Sequence, residues 1–324
     1  MTTRRHFLQL SGAALATPAL SRLAYAQGNW PTHNVRTVIP FSAGSSSDIL
    51  GRIVMEQVSR QLGQNFVIEN RGGAGGSVGA AQVARSDADG YTLLVTAAAH
   101  SAAPAAFPNI TYDPAGDFAG VALFGTVPNV LIVAPSFGVK TVQEFVAKAK
   151  TKDVTYSSAG VGSATHWAAE RFRLSAGFKG THVPFRGGPE ATTEVMTGRV
   201  DFCCMGISSA LPFIKDKKVI PLAVSTPKRS SILPDVPTTL EAGYKDSDYS
   251  FWNGALFPAK TPRPIVDRLA AEINKAVKEP GVASKLQAQG MEATPVTPAE
   301  FDALIKREIA ANKALVKAAG LKFG

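Results

Sequence analysis

The 324-residue chain carries 34 Lys and Arg against 25 Asp and Glu, a formal net charge of +9, with the basic residues scattered rather than gathered into a stretch interleaved with aromatics. That distribution argues against a nucleic-acid partner and for an ordinary solvated surface whose mild field at most favours anionic small ligands. The two cysteines, Cys203 and Cys204, are adjacent, too close for an unstrained bridge, and no His or Cys lies at ligand spacing beside them, so neither a disulfide framework nor a metal centre is expected.

The N-terminus reads Thr3-Arg4-Arg5-His6-Phe7-Leu8, a twin-arginine pair ahead of an apolar run to Leu20 that Ser11, Gly12, Thr17 and Pro18 interrupt. The run is too short and too broken to span a bilayer, and Ala24-Tyr25-Ala26 supplies a small-x-small cleavage site. Residues 1–26 are therefore read as a twin-arginine signal peptide cut after Ala26, which places the mature chain in the periplasm. Its removal takes three arginines, leaving 31 basic against 25 acidic residues, a net +6.

The remaining chain exceeds what one core usually serves, so two domains are expected. Val35 to Phe41 is a short apolar run, Asp48 to Leu62 has helical periodicity, and Phe66 to Ile68 is apolar again, with Gly63 placed for a left-handed helix stop. A short helix over Ser77 to Arg85 and a strand over Tyr91 to Thr96 continue this βα series. A second series starts at Val130 to Ala134 and passes through a helix opened by the capping box Thr141-x-x-Glu144. Strands follow at Val154 to Ser158, His182 to Phe185, Val200 to Met205 and Val219 to Ser225, with helices at Ala164 to Leu174 and Pro189 to Thr197. After a turn-rich stretch come a strand at Phe251 to Phe257 and helices near Pro264 to Val277 and Pro298 to Ala319, which return to the first lobe. The expected fold is α/β and two-lobed, each lobe a mostly parallel sheet flanked by helices, with lobe 1 formed by 27–127 and 251–324, lobe 2 by 128–250, and a hinge of two crossings.

In open α/β sheets ligands sit beyond the carboxyl ends of the strands. Four segments there are rich in glycine, alanine and hydroxyls: Phe41-Ser42-Ala43-Gly44-Ser45-Ser46, the Gly72 to Gly76 loop with Ala74, Thr96-Ala97 through His100 to Ser101, and Ser158 through Gly160, Gly162, Ser163 and Thr165 to His166. Three run into helix N-termini, whose unpaired N–H groups and positive dipole end suit a carboxylate or phosphate, although tight βα turns need the same residues. His100 and His166 are read either as donors to a bound carboxylate or as local hydrogen-bonding residues. Asp48 is read as a helix cap. Asp201 contacts either a ligand amine or its own backbone surroundings. Phe41 and Trp252 wall the cleft or pack in the core. Gly73-Ala74-Gly75-Gly76-Ser77-Val78 misses the dinucleotide spacing, and neither a phosphate-binding G-x-x-x-x-G-K-[ST] nor a G-x-S-x-G elbow occurs, so no cofactor, no metal and no catalytic set is assigned.

These motifs, in order, carry a resemblance. Ile39-Pro40-Phe41-Ser42-Ala43-Gly44 with Asp48 and Arg52, Val67-Ile68-Glu69-Asn70-Arg71-Gly72-Gly73-Ala74-Gly75-Gly76 and Asp89-Gly90-Tyr91-Thr92-Leu93 come first. Tyr112-Asp113-Pro114, Gly160-Val161-Gly162-Ser163, His182-Val183-Pro184-Phe185-Arg186-Gly187, Gly198-Arg199-Val200-Asp201 and Pro234-Asp235-Val236-Pro237-Thr238 follow. The chain resembles the Bug-type substrate-binding proteins of tripartite tricarboxylate transport systems. The resemblance implies a Venus-flytrap fold closing on a small organic carboxylate, whether a di- or tricarboxylate or an aromatic acid. In such proteins Ser42 to Ser46 and Gly72 to Gly76 hold one carboxylate, largely through backbone groups and bridging waters, and the Thr96 to Ser101 and Gly160 to His166 loops face the rest of the ligand. The implied partners are the membrane permease subunits of such a transporter, or a sensor protein, with the receptor itself a monomer. Ser45, Ser46 and Ala97 to Ala99 depart from the family's pattern, and an alanine-lined wall suits a flatter or more apolar acid. A secreted enzyme using the same cleft is the rival reading, decided by turnover.

Overall fold

The computed structural model describes residues 30–319; the expected signal peptide lies outside them. The first βα series is β1 (Val35–Ile39), α1 (Ser46–Leu62), β2 (Phe66–Asn70), α2 (Ser77–Ala84), β3 (Thr92–Ala97) and α3 (Ala99–Ala106). Gly63 caps α1 with φ 68°, the left-handed stop expected, its N–H donating to Ser59 O. The second series is β4 (Phe118–Val133), α4 (Val142–Ala149), β5 (Val154–Ser158), α5 (Ala164–Ala176), β6 (Gly180–Pro184), α6 (Gly188–Met196), β7 (Phe202–Gly206), α7 (Ile207–Lys215) and β8 (Ile220–Val224). The chain returns through β9 (Ser250–Pro258), α8 (Arg263–Lys278), α9 (Pro280–Ala288), β10 (Glu292–Ala293) and α10 (Pro298–Ala319).

The strands follow the order β2-β1-β3-β9-β4-β7-β5-β6, with β8 and β10 also paired to β4. Outer strands are parallel, as the βα alternation requires: β1 with β2 and β3, and β5 with β6 and β7. The strands that join the halves, β4 and β9, run antiparallel to each other, so the sheet is mixed at its centre. β4 serves both halves. Its Phe118 to Pro128 stretch pairs with β9, and its Asn129 to Val133 stretch pairs with β7 and β8. At the junction Ser225 Oγ and Asn129 Nδ2 both donate to Tyr249 O, at 2.7 and 3.2 Å, tying the outgoing and returning crossings together.

Four elements differ from the sequence reading. β4 is 16 residues long where only Val130 to Ala134 reads as strand, because Gly120, Gly125 and Pro128 disguise its first part. Gly125 is needed there: a Cβ would stand 2.2 Å from Glu292 O of β10. The alanine-rich run after β3 is helix rather than loop, and α7 and α9 were not expected. Cys203 and Cys204 are buried strand residues with free thiols. The second half has its own core of rings around Phe145, which lies 5.0 Å from Phe202, 5.7 Å from Phe178 and 6.2 Å from Phe172. Each such ring, fully buried, contributes about 1.5–3 kcal/mol, which supports a second lobe with a core of its own.

Candidate functional site

The carboxyl ends of β1, β3, β5 and β7 converge on one point between the halves. α1 and α5 approach it from opposite sides with nearly identical caps. Ser45 (φ −67°, ψ 158°) accepts from Asp48 N, and Ser163 (φ −67°, ψ 160°) accepts from His166 N, both at 3.3 Å. A serine N-cap satisfies one orphan donor of the first turn and leaves the remaining N–H groups, with the positive dipole end, directed outward.

Asp48 fixes the first loop to the second. Its carboxylate accepts from Gly44 N (2.9 Å), Arg52 Nε (2.9 Å) and Asn70 Nδ2 (2.9 Å), and Asn70 Nδ2 also donates to Phe41 O (2.9 Å). Burial alone raises its pKa, but the bonds from Arg52, Gly44 and Asn70 prevail and hold the carboxyl below its ordinary value. The N-cap expected of Asp48 is Ser45 instead; Asp48, three residues into the helix, turns its carboxylate back to Gly44 N and across to Asn70, stitching two cleft loops.

In the second lobe the side chains of the 158–166 loop are occupied with the loop itself. Ser158 Oγ donates to Gly160 O (3.0 Å), Ala159 N donates to Thr165 Oγ1 (2.9 Å), and Gly162 N donates to His166 Nδ1 (3.1 Å). That last bond requires an unprotonated Nδ1. His166 stacks on His182 at 3.7 Å, and burial, with the charge of its neighbour, lowers its pKa to about 3; burial lowers that of His182 to about 4. Ser158 Oγ lies 2.7 Å from His182 Nε2, a serine–histidine contact, but it is fully buried and does not line the cleft, so it presents no nucleophile there.

The lobes are shut on each other. Ser209 Oγ, from α7, donates across the cleft to Gly44 O at 3.0 Å. A Cβ at Gly75 would stand 2.1 Å from Val161 O, at Gly187 1.6 Å from Ser42 Oγ, and at Gly206 2.3 Å from Ser46 Oγ. Between the jaws is a cavity of about 30 Å³ lined by Phe41, Ser45, Ser46, Ser47, Ala97, Ala159, Ser163, Ala164, Thr165, Gly188, Met205, Gly206, Ser209 and Phe251. No charged side chain lines it. Ser46 Oγ and Ser42 Oγ are buried without a partner among the described residues. A second cavity, about 760 Å³, forms the mouth, with Ala74 and Gly160 at its edge beside Phe107, Arg186 and Glu190.

Of the expected site residues, Phe41, Ser45, Ser46, Ala97, Ser163 and Thr165 line the inner cavity. Ser42, Gly44, Gly72 and Gly162 lie on the lips, where Cβ positions at the three glycines would meet Pro189, Arg186 O and Ala106 at 3.3, 3.0 and 2.6 Å. Ala43 is exposed on the rim. Thr96 is buried and, being adjacent to Ala97 on β3, faces the other side of the sheet. Ser158 and His166 brace the loop from behind.

Two readings are corrected. His100 is sealed between Tyr112 and Phe118, with Nε2 2.9 Å from Pro114 O, because α3 turns it inward. Asp201 precedes β7 and accepts from Thr155 N (2.8 Å) and Lys152 Nζ (2.8 Å), level with the start of β5 and thus at the far end of the strands from the cleft. The sequence reading missed Met205, Gly206, Ser209 and Phe251, and also Gly188 at the start of α6. Met205 and Gly206 end β7 and Ser209 lies in α7 just after it, so the strand-end rule applied to the other loops would have found them; Phe251 depends on where β9 inserts in the sheet.

Fold and site together define a solute-binding protein of the two-lobed periplasmic-binding-protein class. The chain belongs to the tripartite tricarboxylate transporter family receptors, whose family description matches residues 50–321. It is 35% identical over 313 residues to a UPF0065 protein from the TAR-I ttuE-ttuC' intergenic region of Agrobacterium vitis, covering 94% of this chain and 90% of that one. It is 31% identical to Protein BugT of Bordetella pertussis, with 98% of each chain covered. Among solved structures, R. palustris Rpa4515 with adipate superposes with a TM-score of 0.87 at 31% identity, covering 90% of this chain and 99% of that one. The resemblance to Bug-type receptors is thus borne out.

Proposed function

We propose that the protein is an exported periplasmic receptor, without enzymatic activity, that captures a small organic carboxylate between its lobes and presents it to the membrane permease subunits of a tripartite tricarboxylate transporter. The observation that carries this reading is the convergence of two serine-capped helix N-termini, α1 and α5, from opposite jaws on one small cavity in which Ser46 Oγ has no partner among the described residues. Two dipole ends and several backbone N–H groups aimed at one point favour an anion without any lysine or arginine. The adipate in the R. palustris relative supports a carboxylate as the anion. The Arg4-Arg5 pair and Ala24-Tyr25-Ala26 support export through a twin-arginine signal cut after Ala26.

A 30 Å³ cavity holds a water or two rather than a metabolite, so binding requires the jaws to part and close again. The moving bodies in this proposal are 27–127 with 251–324 against 128–250, turning about the β4 and β9 crossings, and the receptor works as a monomer. Isothermal calorimetry of the mature protein against mono-, di-, tri- and aromatic carboxylates tests the proposal. At least one acid binds with micromolar or better affinity; silence across the panel contradicts the carboxylate assignment.

A further inference from the structure

α7 opens between the lobes. Its N-cap Gly206 pairs with Asn129 of β4, the strand that serves both halves, and Gly206 and Ser209 line the inner cavity. Ser208 and Ser209, in the first turn, are only 1% and 5% exposed, so each hydroxyl needs a partner inside the protein. On the neighbouring α6, Thr192 and Thr193 satisfy theirs within the helix, on Gly188 O and Pro189 O. The two serines of α7 turn outward instead, to opposite flanks. Ser209 Oγ donates to Gly44 O at 3.0 Å and Ser208 Oγ donates to Gln289 O at 2.7 Å, and both carbonyls belong to the other lobe.

The two bonds lie differently with respect to the crossings. Gln289 shortly precedes Glu292, which pairs with Thr126 of β4, so both ends of the Ser208 bond flank the strand about which the lobes turn. A Cβ on the adjacent Gly290 would stand 2.7 Å from Ile207 Cγ2, which leaves no slack on that flank. Gly44 belongs instead to the β1–α1 loop on the far wall of the cleft. Its N–H donates to Asp48, which also accepts from Asn70 Nδ2, so lobe 1 fixes the residue whose carbonyl lobe 2 takes up. A hydroxyl has one proton, and that of Ser209 is committed to Gly44 O, leaving none to donate to a carboxylate, which only accepts. We infer that Ser209 is a positioning residue for capture: it latches the closed jaws through Gly44 rather than reading the ligand, while Ser208 holds α7 to lobe 1 beside the crossings in open and closed forms alike. This inference rests on the two-lobed carboxylate-receptor reading above and adds what keeps its jaws shut. In the open form water takes up Gly44 O and Ser209 Oγ, so the latch contributes one net hydrogen bond, felt mainly in the rate of ligand escape.

The test is stopped-flow kinetics of the mature protein with adipate, succinate, citrate and benzoate. In Ser209→Ala the dissociation rate of each acid that binds is expected to rise ~3–10-fold, and the association rate to change less than ~2-fold. Because the latch joins protein to protein, the factor is the same for every acid that binds. In an Asp48→Asn background, where Gly44 is already loosened, Ser209→Ala raises the dissociation rate less than ~2-fold. Ser208→Ala lowers the melting temperature by a few degrees and leaves affinity within ~2-fold. An unchanged dissociation rate in Ser209→Ala overturns the latch and leaves the carboxylate receptor standing. A full, additive effect in the Asp48→Asn background also overturns it, since Ser209 would then act on the ligand directly. Silence of the wild type toward all four acids contradicts the carboxylate assignment and removes the inference with it. Should Asp48→Asn not fold, the dissociation rate in Ser209→Ala decides alone.

Discussion

At the scale of single residues, the glycines of the cleft do more than turn the chain. Gly75 has φ 61° and would carry a Cβ into the carbonyl of Val161, which belongs to the opposite jaw. Alanine at this position is tolerable in the open protein, where the strain of a left-handed residue costs about 1–2 kcal/mol, but it blocks the backbone approach that closure requires. Gly75→Ala is expected to weaken carboxylate binding by ~10-fold or more, read by calorimetry, with a fall in melting temperature of only a few degrees. Unchanged affinity would show that the jaws do not meet at this point when ligand is bound. Asp48 makes the complementary case, since its carboxylate is surrounded by donors from Gly44, Arg52 and Asn70. In Asp48→Asn an NH2 must face one of those donors, so stability falls by about 1–3 kcal/mol in chemical denaturation. The loops at 41–48 and 70–76 also lose their register, so ligand affinity falls with stability.

At the scale of elements, what matters is that the two capped helices belong to different lobes but end alike. The serine caps are not read from the sequence: the cap of α1 is assigned there to Asp48, whereas Ser45 and Ser163 each accept from an N–H three residues on. Most strand and helix centres were legible, because apolar periodicity reports the buried face directly. Illegible were the elements whose local chemistry argues against them. The first half of β4 contains Gly120, Gly125 and Pro128, and α3 and α7 contain Pro104 and Pro212. These segments are held by neighbours distant in sequence, such as β10 against Gly125 and α10 against α3, and no local pattern announces such a neighbour. Asp201 shows the reverse error: a charged residue next to a strand suggests a cleft, yet its strand enters the sheet with that end pointing away.

At the scale of the whole molecule, the buried His100 and His166 and the half-buried His182 are held neutral, His100 and His182 with pKa near 4 and His166 near 3, burial being the leading cause in each. Their ordinary value is about 6.5, so as pH falls below it the unfolded chain takes up protons that the folded chain refuses, and stability is lost progressively down to the folded-state pKa. Each fully buried histidine can contribute up to about 1.4 kcal/mol per pH unit in that window. Glu308, whose pKa burial raises despite bonds from Ser101 and Trp252, works in the opposite direction and offsets part of the loss. The denaturation midpoint is therefore expected to drop between pH 7 and pH 5, and His182→Gln to flatten the profile; a midpoint constant over that range would contradict the neutral histidine cluster. The consequence reaches the cleft, because a proton on His166 Nδ1 breaks its bond from Gly162 N and loosens the loop that faces the ligand.

The sequence alone determined the class of fold and the family, because burial periodicity and the spacing of glycine-rich motifs are local signals that survive without coordinates. Only the tertiary structure decided which of the strand-end loops meet, and that β7, α7 and β9 supply Met205, Gly206, Ser209 and Phe251 to the same cavity. Those facts follow from the order and direction in which strands join the sheet, a choice made by packing between segments distant in sequence.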